Sequence, residues 1–133
     1  LIAAAVLKFA GFEDIKGYKQ WLEAARNATL NNKPSRDQIC CGLPGYFMSL
    51  AVAGRALNDQ ILINEANQLR QIWKDEVKKG KLLDLRKIES VNFSPPGLFV
   101  GRAGVGLLLL EDNEGSWTED ILISCGYLVN HKG

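Results

Sequence analysis

The sequence has few histidines and cysteines, and this scarcity excludes several classes of site. Among 133 residues there are three cysteines and a single histidine, His131, two residues from the C-terminus. One histidine at that position can build neither a Ser-His-Asp triad nor a His-Glu-x-x-His metal motif. An odd number of cysteines without framework spacing argues against a disulfide-stapled secreted fold. It indicates a reducing compartment, so we expect a cytoplasmic protein.

The sequence also lacks a charge excess and a long apolar run. The formal net charge is +1 and the basic residues are spread along the chain, so no electrostatic footprint for nucleic acid or an anionic membrane is visible. The one dense basic stretch, 74–81, is predicted to be a solvated helix end, since lysines there complement the helix dipole. The apolar opening, 1–7, is too short to cross a bilayer. We therefore expect neither a nucleic-acid nor a membrane partner.

The hydrophobic pattern is almost entirely helical. Apolar residues recur every three or four positions over 13–30 and 59–79, which is typical of amphipathic helices with one wet face. Three further stretches are small and apolar nearly all round, and such helices must be covered on both sides: 1–10, 46–57 and 105–111. The chain has no initiator Met and opens inside an apolar stretch, so we expect it to be a piece of a longer protein.

The two amphipathic segments carry additional signals. Asp59 is expected to cap the second of them, and Gly80 is expected to end it. Trp21 and Trp73 occupy equivalent faces of the two segments, which predicts that both pack between layers of helices. The run Ser-Pro-Pro-Gly at 94–97 cannot be helical and is predicted to be a turn.

An internal repeat organises these helices. Gly-x-x-Gly introduces an apolar helix at 42–45 and again at 101–104, and each apolar helix alternates with an amphipathic one. Repeating inner and outer helices curve into an all-α toroid, also called an α/α barrel. Glycines in the turns allow positive φ and close backbone approach, so a ligand would sit at that end. The fold class predicted is all-α, part of such a toroid.

Cys40 and Cys41 are adjacent and stand directly before Gly42. Neighbouring thiols cannot both point into one core, but they can converge on a soft cation such as zinc, and a following helix N-terminus favours negative charge. Two other interpretations remain open at this point: one buried small hydrophobe beside an incidental surface thiol, or a redox pair that forms a bond under mild oxidation. Cys125 is expected to be a core residue, and His131 is expected to lie in a frayed tail.

These motifs resemble those of lanthionine synthetase C-like cyclases. The run Cys-Cys-Gly-Leu-Pro-Gly at 40–45 is similar to the second zinc-binding segment of that family, and Gly-Arg-Ala-Gly-Val-Gly at 101–106 is similar to a later glycine motif. The Cys-Cys-Gly form resembles the three-cysteine subgroup found in some class II lanthipeptide synthetases. Residues 1–133 are thus expected to be a C-terminal fragment of a single cyclase domain.

The resemblance implies a toroid with one zinc ion at its glycine-rich end, for which Cys40 and Cys41 would be ligands. In the family a precursor-peptide thiolate adds to a dehydroalanine or dehydrobutyrine and forms a thioether. The family's first zinc cysteine and its acid/base residues precede the segment that matches Leu1. We therefore expect a third zinc ligand upstream of Leu1, no catalytic residue in this chain, and an inactive isolated chain.

Two expectations concern partners. The precursor peptide would be the substrate, and the apolar surface of an open toroid would promote self-association or be covered by the missing N-terminal part of the domain. The alternatives to the enzyme are a non-catalytic toroid module that holds peptides and a thiol redox or metal-binding protein that uses the Cys40–Cys41 pair.

Overall fold

The computed structural model describes residues 1–12, 14–81 and 102–110, which form five α-helices and, within these ranges, no β-strand. The helices are α1 (Ile2–Phe9), α2 (Tyr18–Asn31), α3 (Leu43–Leu57), α4 (Gln60–Lys78) and α5 (Arg102–Leu110). This confirms the all-α class. No helix in the described ranges has the length and apolar character needed to cross a membrane. The predicted turn at 94–97 lies outside the described residues.

Helix α3 is the centre of the core. Most of its side chains are buried, and it packs against both α4 and α1. Helix α4 buries one face only, through Leu62, Ala66 and Trp73, while α5 adds Val105 and Leu108 to the same core. A helix covered nearly all round beside a helix with one wet face is the expected alternation of inner and outer helices, so the arrangement is consistent with part of an α/α toroid.

The junction between α3 and α4 is defined by two side chains. The carboxylate of Asp59 accepts hydrogen bonds from the backbone N–H groups of Ile61 and Leu62 at 3.0 and 3.3 Å, which confirms the predicted cap. Arg26 of α2 donates to the other carboxylate oxygen at 2.7 Å. Burial by itself would raise the pKa of Asp59, but the Arg26 and backbone hydrogen bonds together hold that pKa below its usual value. Asp59 therefore connects α2 to α4.

Three helix starts differ from the sequence prediction. Helix α2 begins at Tyr18 and not at residue 13, because a turn with Gly17 at φ 86° precedes it. Helices α3 and α5 begin three residues earlier than predicted, at Leu43 and Arg102. Pro44 is accepted in the first turn of α3 because the N–H groups there have no helical partner to lose. The Gly-x-x-Gly motif thus includes the first helical turn.

One expectation about the amphipathic helices is wrong and another is confirmed except at one residue. Trp73 is 1% exposed and packs between helices as predicted, but Trp21 is 45% exposed and meets the edge of the Tyr18 ring. In the stretch 74–81, most residues are exposed as predicted, whereas Lys74 is buried at 6% exposure. The segment before α3 contacts α4 next to Lys74, through the hydrogen bond between Asp37 and Trp73.

Candidate metal centre

The two thiols are positioned by the segment 32–42, which connects α2 to α3. This segment is not helical, yet Asp37, Gln38 and Ile39 are at most 3% exposed. The carboxylate of Asp37 accepts a 2.6 Å hydrogen bond from the indole N–H of Trp73 on α4. A buried carboxylate needs such a partner, and the bond attaches the segment to the outer helix. The exposed Cys40 and Cys41 follow directly.

Two glycines let this segment lie against the start of α3. A Cβ atom at Gly42 would overlap the carbonyl oxygens of Arg36 and Gln38, and one at Gly45 would overlap the carbonyl oxygen of Ile39. The backbone of Gly42 has φ −114°, so this glycine is needed for close approach and not for a left-handed conformation. The backbone N–H of Leu43 completes the junction with a 2.6 Å hydrogen bond to the Arg36 carbonyl.

The thiol groups of Cys40 and Cys41 converge. Their sulfur atoms are 3.2 Å apart, and the side-chain amide of Gln38 lies 3.1 Å from the Cys41 sulfur. Because both cysteines are exposed, the interpretation of one as a buried hydrophobe is wrong. Two thiolates on a tetrahedral zinc with Zn–S bonds of about 2.3 Å have their sulfur atoms about 3.8 Å apart. The observed separation is shorter than this, so a side chain would have to rotate for both thiolates, which are preferred zinc ligands, to hold one zinc ion.

A cleft of about 510 Å³ opens beside the thiols. Its walls come from the start of α1, the end of α2, the segment 32–42 and the first turns of α3, including Ile2, Thr29 and Tyr46. The Tyr46 hydroxyl donates to the Thr29 carbonyl oxygen at 3.0 Å, and burial raises the pKa of Tyr46, so its phenol stays neutral and helps hold α2 against α3. The cleft is large enough for side chains of a peptide to reach the sulfur atoms.

The structure brings together the two predicted ligands but no complete metal site. Within residues 1–12, 14–81 and 102–110, no group of three or more His, Cys, Asp or Glu side chains is placed to hold a metal ion. Cys125 and His131 lie outside the described residues. Gln38 could not be identified from the sequence, because one glutamine in a polar connection gives no signal that it is buried beside a thiol.

A protein-family model matches most of this chain. The family model described as lanthionine synthetase C-like protein matches residues 2–119. The chain belongs to the lanthionine synthetase C-like family. No curated protein and no solved structure matches it significantly. The match includes both glycine motifs of this lanthionine synthetase C-like chain, while its assignment to the three-cysteine subgroup stays a prediction.

Proposed function

We propose that this chain is part of a zinc-dependent lanthionine cyclase and supplies Cys40 and Cys41 as two zinc ligands. The observation that carries the proposal is the convergence of the two exposed sulfur atoms, 3.2 Å apart, at the edge of a cleft. Family membership supports a lanthionine synthetase-like function. Thiolates are preferred zinc ligands, and a catalytic zinc keeps one position for a substrate.

In the proposed reaction, a cysteine thiol of a precursor peptide adds across the Cα=Cβ double bond of a dehydroalanine or dehydrobutyrine. The new S–Cβ bond uses the sulfur electron pair, the π electrons move toward Cα, and a proton is delivered there, so nothing is lost from the peptide. Bound zinc would make the peptide thiol more acidic and keep it as a nucleophile near neutral pH. The chain's own contribution would be to hold Cys40 and Cys41 side by side and to admit the peptide through the cleft.

Three parts of this function lie beyond the described residues. A third protein ligand and the acid/base groups are proposed to precede Leu1 in the same domain, as the family pattern implies. The partner would be a precursor peptide in the cytoplasm. The isolated chain would then hold zinc weakly and form no thioether.

The test uses the full-length gene product. Zinc content and thioether formation are measured together, the latter on a peptide that contains one cysteine and one dehydroalanine. We expect one zinc per molecule in the wild type and a loss of both zinc and cyclisation in Cys40→Ser and in Cys41→Ser. Cys125→Ala is the matched control, because it removes the third thiol of this chain and is expected to change neither quantity.

The same experiment separates the cyclase from a peptide-holding module, which the cleft would also serve. A wild-type protein that binds the peptide without zinc and without cyclisation would contradict the enzyme and support the module. Zinc retained in both single cysteine variants would show that the metal has other ligands.

A further inference from the structure

We infer that Gln38 is a positioning residue for the Cys41 sulfur. This inference rests on the proposed zinc site and adds an outer contact to it. The side-chain nitrogen of Gln38 lies 3.1 Å from the sulfur, within the range of a hydrogen bond to sulfur. A cysteine that binds metal does so as a thiolate, which has no proton to donate, so the amide must present its N–H group to that sulfur.

Both the side chain and the backbone of Gln38 are closely surrounded by other atoms. Its side chain is fully buried, at 0% exposure, so water does not compete for the amide. A Cβ at Gly42 would lie 2.7 Å from the backbone nitrogen of Gln38 and 2.4 Å from its backbone carbonyl oxygen, so the backbones of Gly42 and Gln38 are in close contact. The donor therefore approaches the sulfur from a rigid support, and it limits the directions that the Cys41 side chain can take.

Core packing does not account for a glutamine at this position. Its side-chain oxygen is buried and has no hydrogen-bond partner within the described residues. Burying an unpaired carbonyl opposes folding, and leucine, of similar size, would avoid that cost. The contact that leucine cannot make is the one from the amide nitrogen to the Cys41 sulfur. The contact with the Cys41 sulfur, and not packing in the core, thus accounts for a glutamine at this position.

An amide is well suited to a thiolate-rich zinc centre. Each thiolate adds a negative charge, and an N–H donor withdraws electron density from the sulfur without contributing a charge of its own. Outer contacts of this kind change metal affinity by about 10- to 100-fold when they are removed. Gln38 would therefore raise the zinc affinity and moderate the electron donation of one ligand.

The test compares Gln38→Leu with the wild type as full-length gene products. Zinc dissociation constants are measured by competition with a chelator, and the sulfur-to-metal charge-transfer band is recorded after loading with Co²⁺. We expect Gln38→Leu to bind zinc about tenfold more weakly and its band to move to lower energy. The melting temperature of the metal-free protein should be unchanged or higher, since weaker zinc binding by itself lowers the melting temperature of the zinc-loaded form. Gln38→Glu, which places a carboxylate beside the sulfur, should bind more weakly still.

Gln20→Leu is the matched control, because Gln20 is exposed in the first turn of α2, whereas the cleft adjoins the other end of that helix. Equal zinc affinity and an unmoved band in Gln38→Leu would overturn this inference and leave the proposed function standing. A lower melting temperature of metal-free Gln38→Leu than of the metal-free wild type would show a structural role and would overturn it as well. Failure of the wild type to bind either metal would overturn the zinc site and this inference together.

Discussion

Two connections between consecutive helices differ in how their backbones are built. The first, the turn between α1 and α2, has described residues 10–12 and 14–17, and the second is the segment 32–42 between α2 and α3. The turn uses left-handed glycines, Gly11 at φ 77° and Gly17 at φ 86°, and leaves Ile15 52% exposed. The segment is not helical, and three of its consecutive side chains are buried. The apolar Ile15 side chain of the turn is thus half exposed, whereas the segment is a packed part of the core.

The glycines show why only one of these connections can position a site. A Cβ at Gly11 would have no neighbour within 4 Å, so that glycine is explained by its backbone angles alone. A Cβ at Gly42 or Gly45 would collide with the backbone of the segment, so glycine is required at these positions because there is no room for a side chain. Close backbone contact holds the segment against α3. The two cysteines lie between Ile39 and Gly42, which both take part in that contact.

The largest expected effect comes from adding one methyl group at this contact. Gly45→Ala would force the Ile39 carbonyl away from α3, and we expect the free energy of unfolding to fall by about 3 kcal/mol or more. Gly106→Ala is the control, since a Cβ there meets nothing within 4 Å and alanine favours a helix by about 0.5–1 kcal/mol. Urea unfolding of both variants measures the difference. Equal free energies of unfolding in the two variants would contradict the claim that close backbone contact holds the segment against α3.

A smaller effect is expected where the segment is attached to α4. Asp37→Ala leaves the Trp73 indole N–H without its buried acceptor, and we expect a loss of about 1–3 kcal/mol in the free energy of unfolding. Asp37→Asn keeps a side-chain oxygen that can accept the same bond, so it should lose clearly less. Thermal unfolding followed by circular dichroism gives both values. A larger loss in Asp37→Asn than in Asp37→Ala would contradict the role of this hydrogen bond.

The smallest effect on stability is expected in the exposed turn. Ile15→Ser removes a side chain that is 52% exposed, so the free energy of unfolding should change by less than about 0.5 kcal/mol. Phe12, which is 53% exposed, lies in the same turn and adds to its apolar surface. If this surface promotes the self-association expected of an open toroid, Ile15→Ser should lower the association constant measured by sedimentation. An unchanged constant would assign any association to another surface.

Local signals in the sequence were sufficient for the helix alternation and the Asp59 cap, while the role of Cys40 and Cys41 as zinc ligands stays a prediction. The start of α2 was predicted too early, because Ile15 continues the apolar spacing of the helix although Gly17 interrupts it. The backbone of Gly17 is left-handed, at φ 86°, and the Tyr18 hydroxyl donates to the Ala4 carbonyl at 2.9 Å, so the helix begins at Tyr18. The bond between Asp37 and Trp73 joins positions 36 residues apart. Such a pairing depends on how the helices pack, which no short pattern encodes.

The central claim, that Cys40 and Cys41 bind zinc, is tested most directly by zinc X-ray absorption on the full-length gene product. Three protein sulfur ligands at about 2.3 Å are expected in the wild type, and one fewer in Cys40→Ser and in Cys41→Ser. A zinc shell of nitrogen and oxygen atoms only, or a sulfur count that both variants leave unchanged, would contradict the account.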